Sequence, residues 1–529
     1  MSPSTSSGSK RFWVLVLGIL VLAAFMRLWH LPSTPPGLYP DEAMNGVNAL
    51  EANATGQYKI FYSENNGREG LFINLQALSV AVFGAKPWAL RLVSAIVGIL
   101  TVFGLYLLGK ELFSRNVGLW ASFFLAIGFW HVNFSRIGFR AIMVPFLLTW
   151  ALYFWYLGTR KGSAWPFLLS GVAFGLGFHT YIAFRFAPLV MLVPIIQGLR
   201  NWLKRRLDFC FPCALGMWLL VAFLVALPIG FYFLQNPQDF LGRAGDVSIF
   251  SQSSPLNAAI TSLGKTLGQF NIWGDCNWRH NFACHPQLLW PVGLLFLIGF
   301  FLILTRRRSV DPLDLRPYPL VLTWLFVMML PAVFTAEGLP HALRTIGTIP
   351  PAFLLAGVGA SWLHEKLRIA VRSGRLSKRL LSILLVGFIA ALILAEYKKY
   401  FVAWAPRPEV ADAFTQRFTR IGEYLRDLPE TRKKYVIVNE NGVLVDGIPM
   451  GVLVDGIPMP AMTVKFLTKN DPSVTYLLPE ALPTLTTVEV SSVLVPLNPT
   501  QKIESKLPPG VWKTVGDFRA FLVSIPYFP

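Results

Sequence analysis

Two adjacent carboxylates, Asp41 and Glu42, follow a proline-rich turn in an otherwise apolar stretch of the chain. We predict a helix over residues 43–55, with Asp41 as its N-cap, because a carboxylate at that position accepts backbone N–H groups. A carboxylate can also serve as a general base that draws a proton from an acceptor hydroxyl while that oxygen attacks an anomeric carbon. The catalytic candidates are therefore Asp41, Glu42 and a third acid, Glu69.

Basic side chains recur close to these acids in the predicted topology. Arg68 directly precedes Glu69, and a salt bridge between the two, or one to a lipid headgroup, is one interpretation. The other is a phosphate site, because a guanidinium presents paired N–H donors that match phosphate oxygens. The remaining candidates for binding a donor phosphate are Tyr181, Arg185, His341 and Arg344.

A third concentration of polar side chains occupies residues 274–281, which read Gly-Asp-Cys-Asn-Trp-Arg-His-Asn. We predict that this segment binds sugar hydroxyls or a phosphate through Asp275, Asn277, Arg279, His280 and Asn281. A divalent metal is conceivable, but Asp275, His280 and His285 lack a regular ligand spacing. No metal and no other cofactor is therefore predicted.

The chain has 4 cysteines, which fall into two close pairs. Cys210 and Cys213 begin an apolar run, and we expect buried thiols that behave as small hydrophobic side chains. Cys276 and Cys284 lie in a predicted external loop, where a disulfide and two free thiols are equally open alternatives.

Composition identifies the class of protein that must position these residues. Of 529 residues, 54% are hydrophobic and 14% are charged, and the mean hydropathy is +0.52, which indicates a polytopic membrane protein. The net charge of +19 comes from Lys and Arg that lie between apolar runs. Basic residues in that arrangement mark topology and argue against a nucleic-acid partner.

Apolar runs of about 20 residues, the length that crosses a bilayer, predict eleven helices. They centre on residues 12–29, 88–109, 116–131, 140–158, 165–179, 186–199, 212–234, 288–305, 318–335, 345–363 and 380–397. With a cytoplasmic N-terminus, the basic clusters between spans all face the cytoplasm, as the positive-inside rule requires. The outer segments then include loops 30–87 and 235–287 and the tail.

The predicted domains are a disordered cytoplasmic N-terminus (1–11), a transmembrane domain (12–397) and an extracytoplasmic soluble α/β domain (398–529). In the tail, patterning predicts one helix and four strands. Their ranges are 409–428 for the helix and 435–438, 474–478, 488–495 and 518–525 for the strands. The tandem sequence GVLVDGIPM at 442–450 and 451–459 indicates a loop or hairpin insertion.

The chain resembles the C-type glycosyltransferases, in particular bacterial relatives of the protein O-mannosyltransferases and of the lipid A aminoarabinose transferase. The resemblance covers roughly residues 10–360. It depends on Pro-Asp-Glu at 40–42, Arg-Glu-Gly-Leu-Phe at 68–72 and Arg-Leu-Val-Ser-Ala at 91–95. The chain lacks the Trp-Trp-Asp-Tyr-Gly signature of the oligosaccharyltransferase branch, which argues against sequon-dependent N-glycosylation.

This resemblance implies inverting transfer of a sugar from a polyprenyl phosphate to a hydroxyl on a protein, lipid or glycan, at the outer face of the cell membrane. Asp41 matches the catalytic acid of the family motif. Arg68 stands where relatives place a basic residue against the lipid phosphate, and Glu69 is a nearby second acid. The partners implied are the lipid-linked donor, membrane lipids and the acceptor.

Two other classes of function remain open at this stage. A transporter or flippase for an anionic lipid or glycan shares the composition, but we find neither two related halves nor charges at mid-membrane depth. A non-catalytic subunit of an assembly or export complex would bind its partner through the tail, and it would tolerate loss of Asp41.

Overall fold

A computed structural model describes residues 6–241, 249–251, 254–305, 315, 317–335, 338–440, 444–445, 448–449, 453–454, 457–479, 492–498, 507 and 510–523. Its helices are α1 (Ser6–Leu28), α2 (Pro40–Thr55), α3 (Gly70–Phe83), α4 (Pro87–Leu112), α5 (Arg115–Ile127), α6 (Phe129–Phe134), α7 (Met143–Lys161), α8 (Ala164–Gly177), α9 (Ala187–Leu203), α10 (Phe211–Gln235), α11 (Pro237–Leu241), α12 (Pro255–Gly268), α13 (Trp290–Thr305), α14 (Pro317–Val327), α15 (Leu330–Val333), α16 (Ile349–Arg372), α17 (Lys378–Tyr397), α18 (Pro408–Ala413), α19 (Gln416–Arg426) and α20 (Met462–Leu467).

The strands are short and lie mostly in the tail. They are β1 (Phe61–Tyr62), β2 (Arg68–Glu69), β3 (Lys434–Ile437), β4 (Leu444–Val445), β5 (Ile448–Pro449), β6 (Leu453–Val454), β7 (Ile457–Pro458), β8 (Val474–Leu477), β9 (Val493–Pro496), β10 (Gly510–Val515) and β11 (Phe518–Val523). The chain is thus mainly α-helical, and it carries a small C-terminal sheet, as predicted.

Each of the eleven predicted spans overlaps a helix of the structure. Within the described residues, 6 helices are long and apolar enough to cross a membrane. They are Pro87–Leu112, Arg140–Lys161, Ile182–Leu203, Phe211–Gln235, Ile346–Arg372 and Lys378–Trp404. Shorter apolar helices follow the other predicted spans, among them Ala164–Gly177 and Trp290–Thr305. The chain is a multi-pass membrane protein, and the number of crossings stays a prediction.

The chain divides into two compact units. The helical unit comprises Met1–Trp29, Ser94–Arg136 and Arg140–Trp404. The mixed unit comprises His30–Val93, Ile137–Phe139 and Ala405–Pro529, so it joins the first outer loop to the tail.

Close contacts between helix backbones hold the helical unit together. At Gly299 of α13 and Gly359 of α16, an added Cβ would overlap the backbone of the facing helix. Gly109 of α4 and Gly118 of α5 face each other in the same way. Small residues at such crossings let helices approach closely enough for extensive van der Waals contact, which replaces the hydrophobic effect inside a membrane.

The mixed unit has a conventional core made from both of its parts. α2 packs against α20, and an added Cβ at Gly46 would lie 2.5 Å from the ring of Phe466. Their shared core includes Met44 from α2 and Leu467 from α20. The strand order is β10-β11-β9-β3-β8, with β3 parallel to β8 and β9, and β11 antiparallel to β9 and β10. This core fixes the start of α2, where the acidic pair lies.

Several local predictions were wrong. The helix after the acidic pair begins at Pro40 with Tyr39 as its N-cap, because proline is preorganised for the first helical position and needs no N–H partner. The predicted tail helix is broken into α18 and α19 at Thr415, whose φ of 49° is left-handed. Prediction missed α20 and β10. The predicted disorder over 1–11 also differs from the structure, since α1 begins at Ser6 and residues 1–5 lie outside the described part.

The cysteines form disulfides in both pairs. Cys276 and Cys284 are bonded, which settles the alternative left open by the sequence. Cys210 and Cys213 are bonded and exposed, so the prediction of buried free thiols was wrong. The reason is local: Cys210 is the N-cap of α10 and its Sγ accepts a hydrogen bond from the Cys213 N–H, which places the two side chains together.

Candidate functional site

The acidic pair lies in the first turn of α2, where aligned backbone N–H groups favour negative charge. Asp41 is partly exposed, and its Oδ1 accepts a hydrogen bond of 2.6 Å from the side-chain amide of Asn65. Asn65 and Asn66 both have positive φ, a backbone conformation that Asn tolerates better than most residues. The turn that follows β1 therefore delivers the amide that orients Asp41.

Glu42 occupies a different environment from its neighbour. It is fully buried and its two oxygens face Arg91, with Nε–Oε1 and Nη2–Oε2 distances of 3.0 Å. The backbone N–H of Gly138 donates to the same Oε1 at 2.7 Å. Arg91 donates in addition to the carbonyl oxygens of Pro35 and Gly37. Glu42 and Arg91 thus join α2 to the proline-rich turn, and the catalytic role of Glu42 stays a prediction.

Arg68 is also committed to contacts within the mixed unit. Its side chain is 2% exposed. Nη1 donates to Asn45 Oδ1 at 2.7 Å, and Nη2 donates to Asn48 Oδ1 at 2.5 Å. Both asparagines belong to α2, one turn apart, so the guanidinium bridges the inner face of that helix. One N–H of each terminal nitrogen is thus bound to an amide oxygen, and Nη2 also lies 3.9 Å from Glu64 Oε2. The contact of Arg68 with a phosphate stays a prediction.

Glu69 lies at the N-cap of α3 and is buried. Its backbone pairs with Phe61 in the β1–β2 hairpin, which brings Arg68 and Glu69 back towards α2. Asp41, Glu42, Arg68 and Glu69 therefore all belong to the mixed unit.

The remaining predicted residues belong to the helical unit, where the segment 274–281 forms a compact loop. Asp275 Oδ1 accepts from the Asn277 N–H at 2.8 Å, and its Oδ2 accepts from the Ala342 N–H at 2.8 Å. The His280 Nδ1 lies 3.0 Å from the same Oδ2. Asn281 donates to the carbonyl oxygens of Asp275 and His285. An added Cβ at Gly274 would overlap the backbone of His285, so only glycine fits there.

His341 joins this loop from a distant part of the sequence. Its Nδ1 lies 3.9 Å from Asp275 Oδ2, and its ring centroid is 4.9 Å from that of His280. Asp275, His280 and His341 are called the Asp–His cluster below. His341 is a predicted phosphate ligand, and Asp275 and His280 are predicted substrate ligands; the structure brings all three together.

Electrostatics within the cluster follow from burial and neighbouring charge. Burial would raise the pKa of Asp275, but the charge and hydrogen bond of His280, with His341 and the Asn277 N–H, hold that pKa below its ordinary value. Burial lowers the pKa of His341 well below its usual range, and the positive charge of Arg344 lowers it further. The carboxylate is therefore ionised and the His341 imidazole neutral near pH 7.

Of the other predicted phosphate ligands, Arg344 contacts the Asp–His cluster, and Tyr181 and Arg185 have contacts elsewhere in the described part of the helical unit. Tyr181 lies under the guanidinium of Arg140, with 5.4 Å from Arg140 Cζ to the ring centroid. Arg185 donates to the Phe240 carbonyl oxygen at 2.6 Å and stacks on the Phe240 ring at 4.1 Å. The backbone N–H of Arg344 donates to His341 Nδ1 at 3.4 Å. Arg279 accepts through its carbonyl oxygen from Asn133.

Prediction missed four residues that hold the acidic pair or Arg68: Arg91, Asn45, Asn48 and Asn65. Arg91 was noted as part of a family motif but not as a site residue. A lone arginine opening an apolar run needs a buried anion, and that signal could have paired it with Glu42. Asn45, Asn48 and Asn65 carry no such signal, because asparagines in a helix or turn are common and only the fold shows which side chain they orient.

The Cys276–Cys284 disulfide closes the loop that holds Asp275 and His280. We expect replacement of both cysteines by serine to lower the free energy of unfolding by about 2 kcal/mol, because the cross-link restricts the unfolded chain. Thermal unfolding of the purified protein with and without reductant measures this. Reductant should lower the melting temperature of the wild type by more than that of the double variant, which keeps only the Cys210–Cys213 disulfide. Equal melting temperatures for the two proteins without reductant would contradict the prediction.

Comparison with known proteins gives one family match and one curated relative. The model of the family described as dolichyl-phosphate-mannose-protein mannosyltransferase matches residues 71–229. YkcB of Bacillus subtilis (strain 168), named as a mannosyltransferase, is 23% identical over 196 residues. That match covers 35% of this chain and 26% of YkcB, so the chain matches about a quarter of the relative's length.

Solved structures match over most of the chain. The crystal structure of ArnT from Cupriavidus metallidurans bound to undecaprenyl phosphate aligns with a TM-score of 0.59 and 14% identity, covering 98% of both chains. The apo oligosaccharyltransferase of Archaeoglobus fulgidus aligns with a TM-score of 0.51 and 13% identity, covering 88% of this chain and 64% of that one. At these identities the structural matches establish a shared fold.

Proposed function

We propose that the chain is a glycosyltransferase of the C-type superfamily that moves a sugar from a polyprenyl-phosphate donor to an acceptor hydroxyl on the outer face of the cell membrane. ArnT, which shares the fold, was crystallised with undecaprenyl phosphate, and this supports a polyprenyl phosphate as the leaving group. The positive-inside arrangement of the loops supports an outward-facing site.

The observation that carries the proposal is the difference in burial and hydrogen bonding between Asp41 and Glu42. Glu42 is fully buried and its oxygens are bound to Arg91 and Gly138, so it is unavailable for proton transfer. Asp41 is partly exposed, and within the described residues its side chain makes one hydrogen bond, from Asn65 to Oδ1. One carboxylate is thus oriented yet accessible, which is the arrangement that a general base requires.

The reaction is a single displacement. Asp41 accepts the proton of the acceptor hydroxyl as that oxygen bonds to the anomeric carbon, and the bond from this carbon to the phosphate oxygen breaks with its electron pair on the phosphate. The configuration of the anomeric carbon is inverted. The phosphate leaves as an anion and needs no acid, so one catalytic carboxylate suffices, unlike the paired carboxylates of glycoside hydrolases.

Arg68 contributes to this scheme through its charge. Fixed positive charge close to a leaving phosphate stabilises the negative charge that grows in the transition state. The asparagines that hold Arg68 keep the guanidinium in place before the donor arrives. Glu69 has no assigned step. The residues of the Asp–His cluster, with Asn277, Arg279 and Asn281, are proposed to bind the sugar or acceptor, and Tyr181, Arg185 and Arg344 to contact the donor lipid.

A donor panel tests the proposed function. Purified full-length protein is incubated with radiolabelled polyprenyl-phosphate hexoses and pentoses and a bacterial envelope extract as acceptor. We expect label to move from the lipid to a water-soluble or lipid product with at least one donor. Movement of intact donor across proteoliposomes, without cleavage of the sugar–phosphate bond, would instead identify a flippase and contradict the proposal.

A further inference from the structure

The Asp–His cluster places an unprotonated ring nitrogen close to a carboxylate oxygen. Asp275 Oδ2 and His341 Nδ1 are 3.9 Å apart. The Arg344 N–H donates to that Nδ1 over 3.4 Å, so Nδ1 carries no proton and cannot donate to the carboxylate. A cation that replaces this long hydrogen bond would bind both the Nδ1 lone pair and the anionic oxygen.

We propose that the Asp–His cluster binds one divalent transition-metal ion of the zinc type. The three ligand atoms, one from each residue, lie within 4.8 Å of one another. Separations of 3.0 and 3.9 Å from Asp275 Oδ2 to the two histidine Nδ1 atoms bracket the roughly 3.3 Å between ligands of a tetrahedral ion with bonds of about 2.0–2.1 Å. Small side-chain rotations therefore complete the site.

The surroundings of the cluster orient these ligands before a metal binds. Asp275 is 3% exposed and His280 is 4% exposed. Backbone N–H groups of Asn277 and Ala342 each bond one oxygen of Asp275. The other lone pair of Oδ2, which His280 Nδ1 approaches at 3.0 Å, is the one that would bind the ion. Such supporting hydrogen bonds fix carboxylate ligands in metal sites. The disulfide and Gly274 make the loop rigid in addition.

Ligand chemistry selects the class of metal. Two imidazoles and one carboxylate suit Zn²⁺, Co²⁺ and related ions, whereas Ca²⁺ and Mg²⁺ prefer sites made of oxygen ligands. Three protein ligands leave the fourth tetrahedral position for water or an anion. Nearby Arg279 and Arg344 are positively charged, which favours an anion there over neutral water. The spacing of Asp275 and His280 alone gave no such indication, because the third ligand lies 61 residues beyond His280.

Metal stoichiometry tests the proposal on the full-length protein in detergent, independently of sugar transfer. The protein is stripped with chelator, titrated with Zn²⁺ or Co²⁺, and assayed by elemental analysis and by the visible absorption of bound Co²⁺. The variants are His280→Gln and His341→Gln. The matched control is His285→Gln, an exposed histidine of the same loop.

We expect about one ion per chain in the wild type and in His285→Gln, and at least a tenfold loss of affinity in His280→Gln and His341→Gln. His341 is partly exposed, so its variant should fold, and size-exclusion profiles check that. The proposal is overturned if the wild type takes up no ion at tens of micromolar metal. It is equally overturned if His341→Gln binds as the wild type does, or if His285→Gln loses the ion as well.

Discussion

Replacing Asp41 by asparagine should lower the rate of sugar transfer by a factor of about 100 to 10,000, the usual contribution of a positioned general base. The change removes one charge and keeps the shape of the side chain. Asparagine still accepts the hydrogen bond from Asn65, so α2 and the adjacent turn should keep their positions. The initial rate of transfer from the active donor, per molecule of folded protein, measures the effect.

Glu51→Gln is the control for this change. Glu51 belongs to the same helix, but it is exposed and forms a salt bridge of 3.6 Å with Lys59. An exposed ion pair contributes little to stability, so the control should keep near-wild-type transfer. Transfer by Asp41→Asn within a few-fold of the wild-type rate would remove Asp41 from the mechanism.

The second large effect concerns the buried pair formed by Glu42 and Arg91. We expect Arg91→Met to destabilise the folded protein by about 3–5 kcal/mol, because it leaves the Glu42 carboxylate buried without its cation. Glu42→Gln should destabilise the folded protein slightly less, since Arg91 keeps its hydrogen bonds to the carbonyl oxygens of Pro35 and Gly37. Thermal unfolding in detergent and the yield of folded protein measure both changes.

A double variant separates the ion pair from simple packing. Glu42→Leu combined with Arg91→Met should be less destabilised than the sum of Glu42→Leu alone and Arg91→Met alone, because apolar groups can replace a buried pair. Asp517→Asn breaks the exposed pair with Arg420 and should cost less than about 1 kcal/mol. Two results would contradict the proposal that Glu42 positions the turn. One is additive losses in the free energy of unfolding for the two buried changes. The other is a loss for Asp517→Asn equal to that for Arg91→Met.

The sequence was most informative where one physical signal repeats. Apolar runs and intervening basic clusters located a helix in all eleven predicted spans, because bilayer thickness sets the length of such runs. The acidic pair was also found, since adjacent carboxylates next to a membrane are rare and costly. Alternating or apolar patterns predicted four of the five strands of the sheet. Parts of two of those predictions, 488–491 and 524–525, lie outside the described residues.

Long-range pairings were not accessible in this way. Nothing in the local sequence shows that Glu42 meets Arg91, or that Asp275 meets His341, since each pair is separated by dozens of residues. The shared core of Met44 and Leu467 could not be predicted either, because the sequence shows only that both residues are apolar. The start of α2 was predicted wrongly for a local reason. Pro40 sets the first helical position and makes Tyr39 the N-cap, whereas the carboxylate of Asp41 indicated an N-cap two residues later.

The most direct test of the central claim measures donor binding and single-turnover transfer in the same preparation of Asp41→Asn. If Asp41 is the base, purified Asp41→Asn should bind polyprenyl phosphate with an affinity within about threefold of the wild type, yet transfer should be lost. Wild-type turnover in this variant, or loss of binding together with turnover, would contradict the claim that Asp41 acts on the proton of the acceptor.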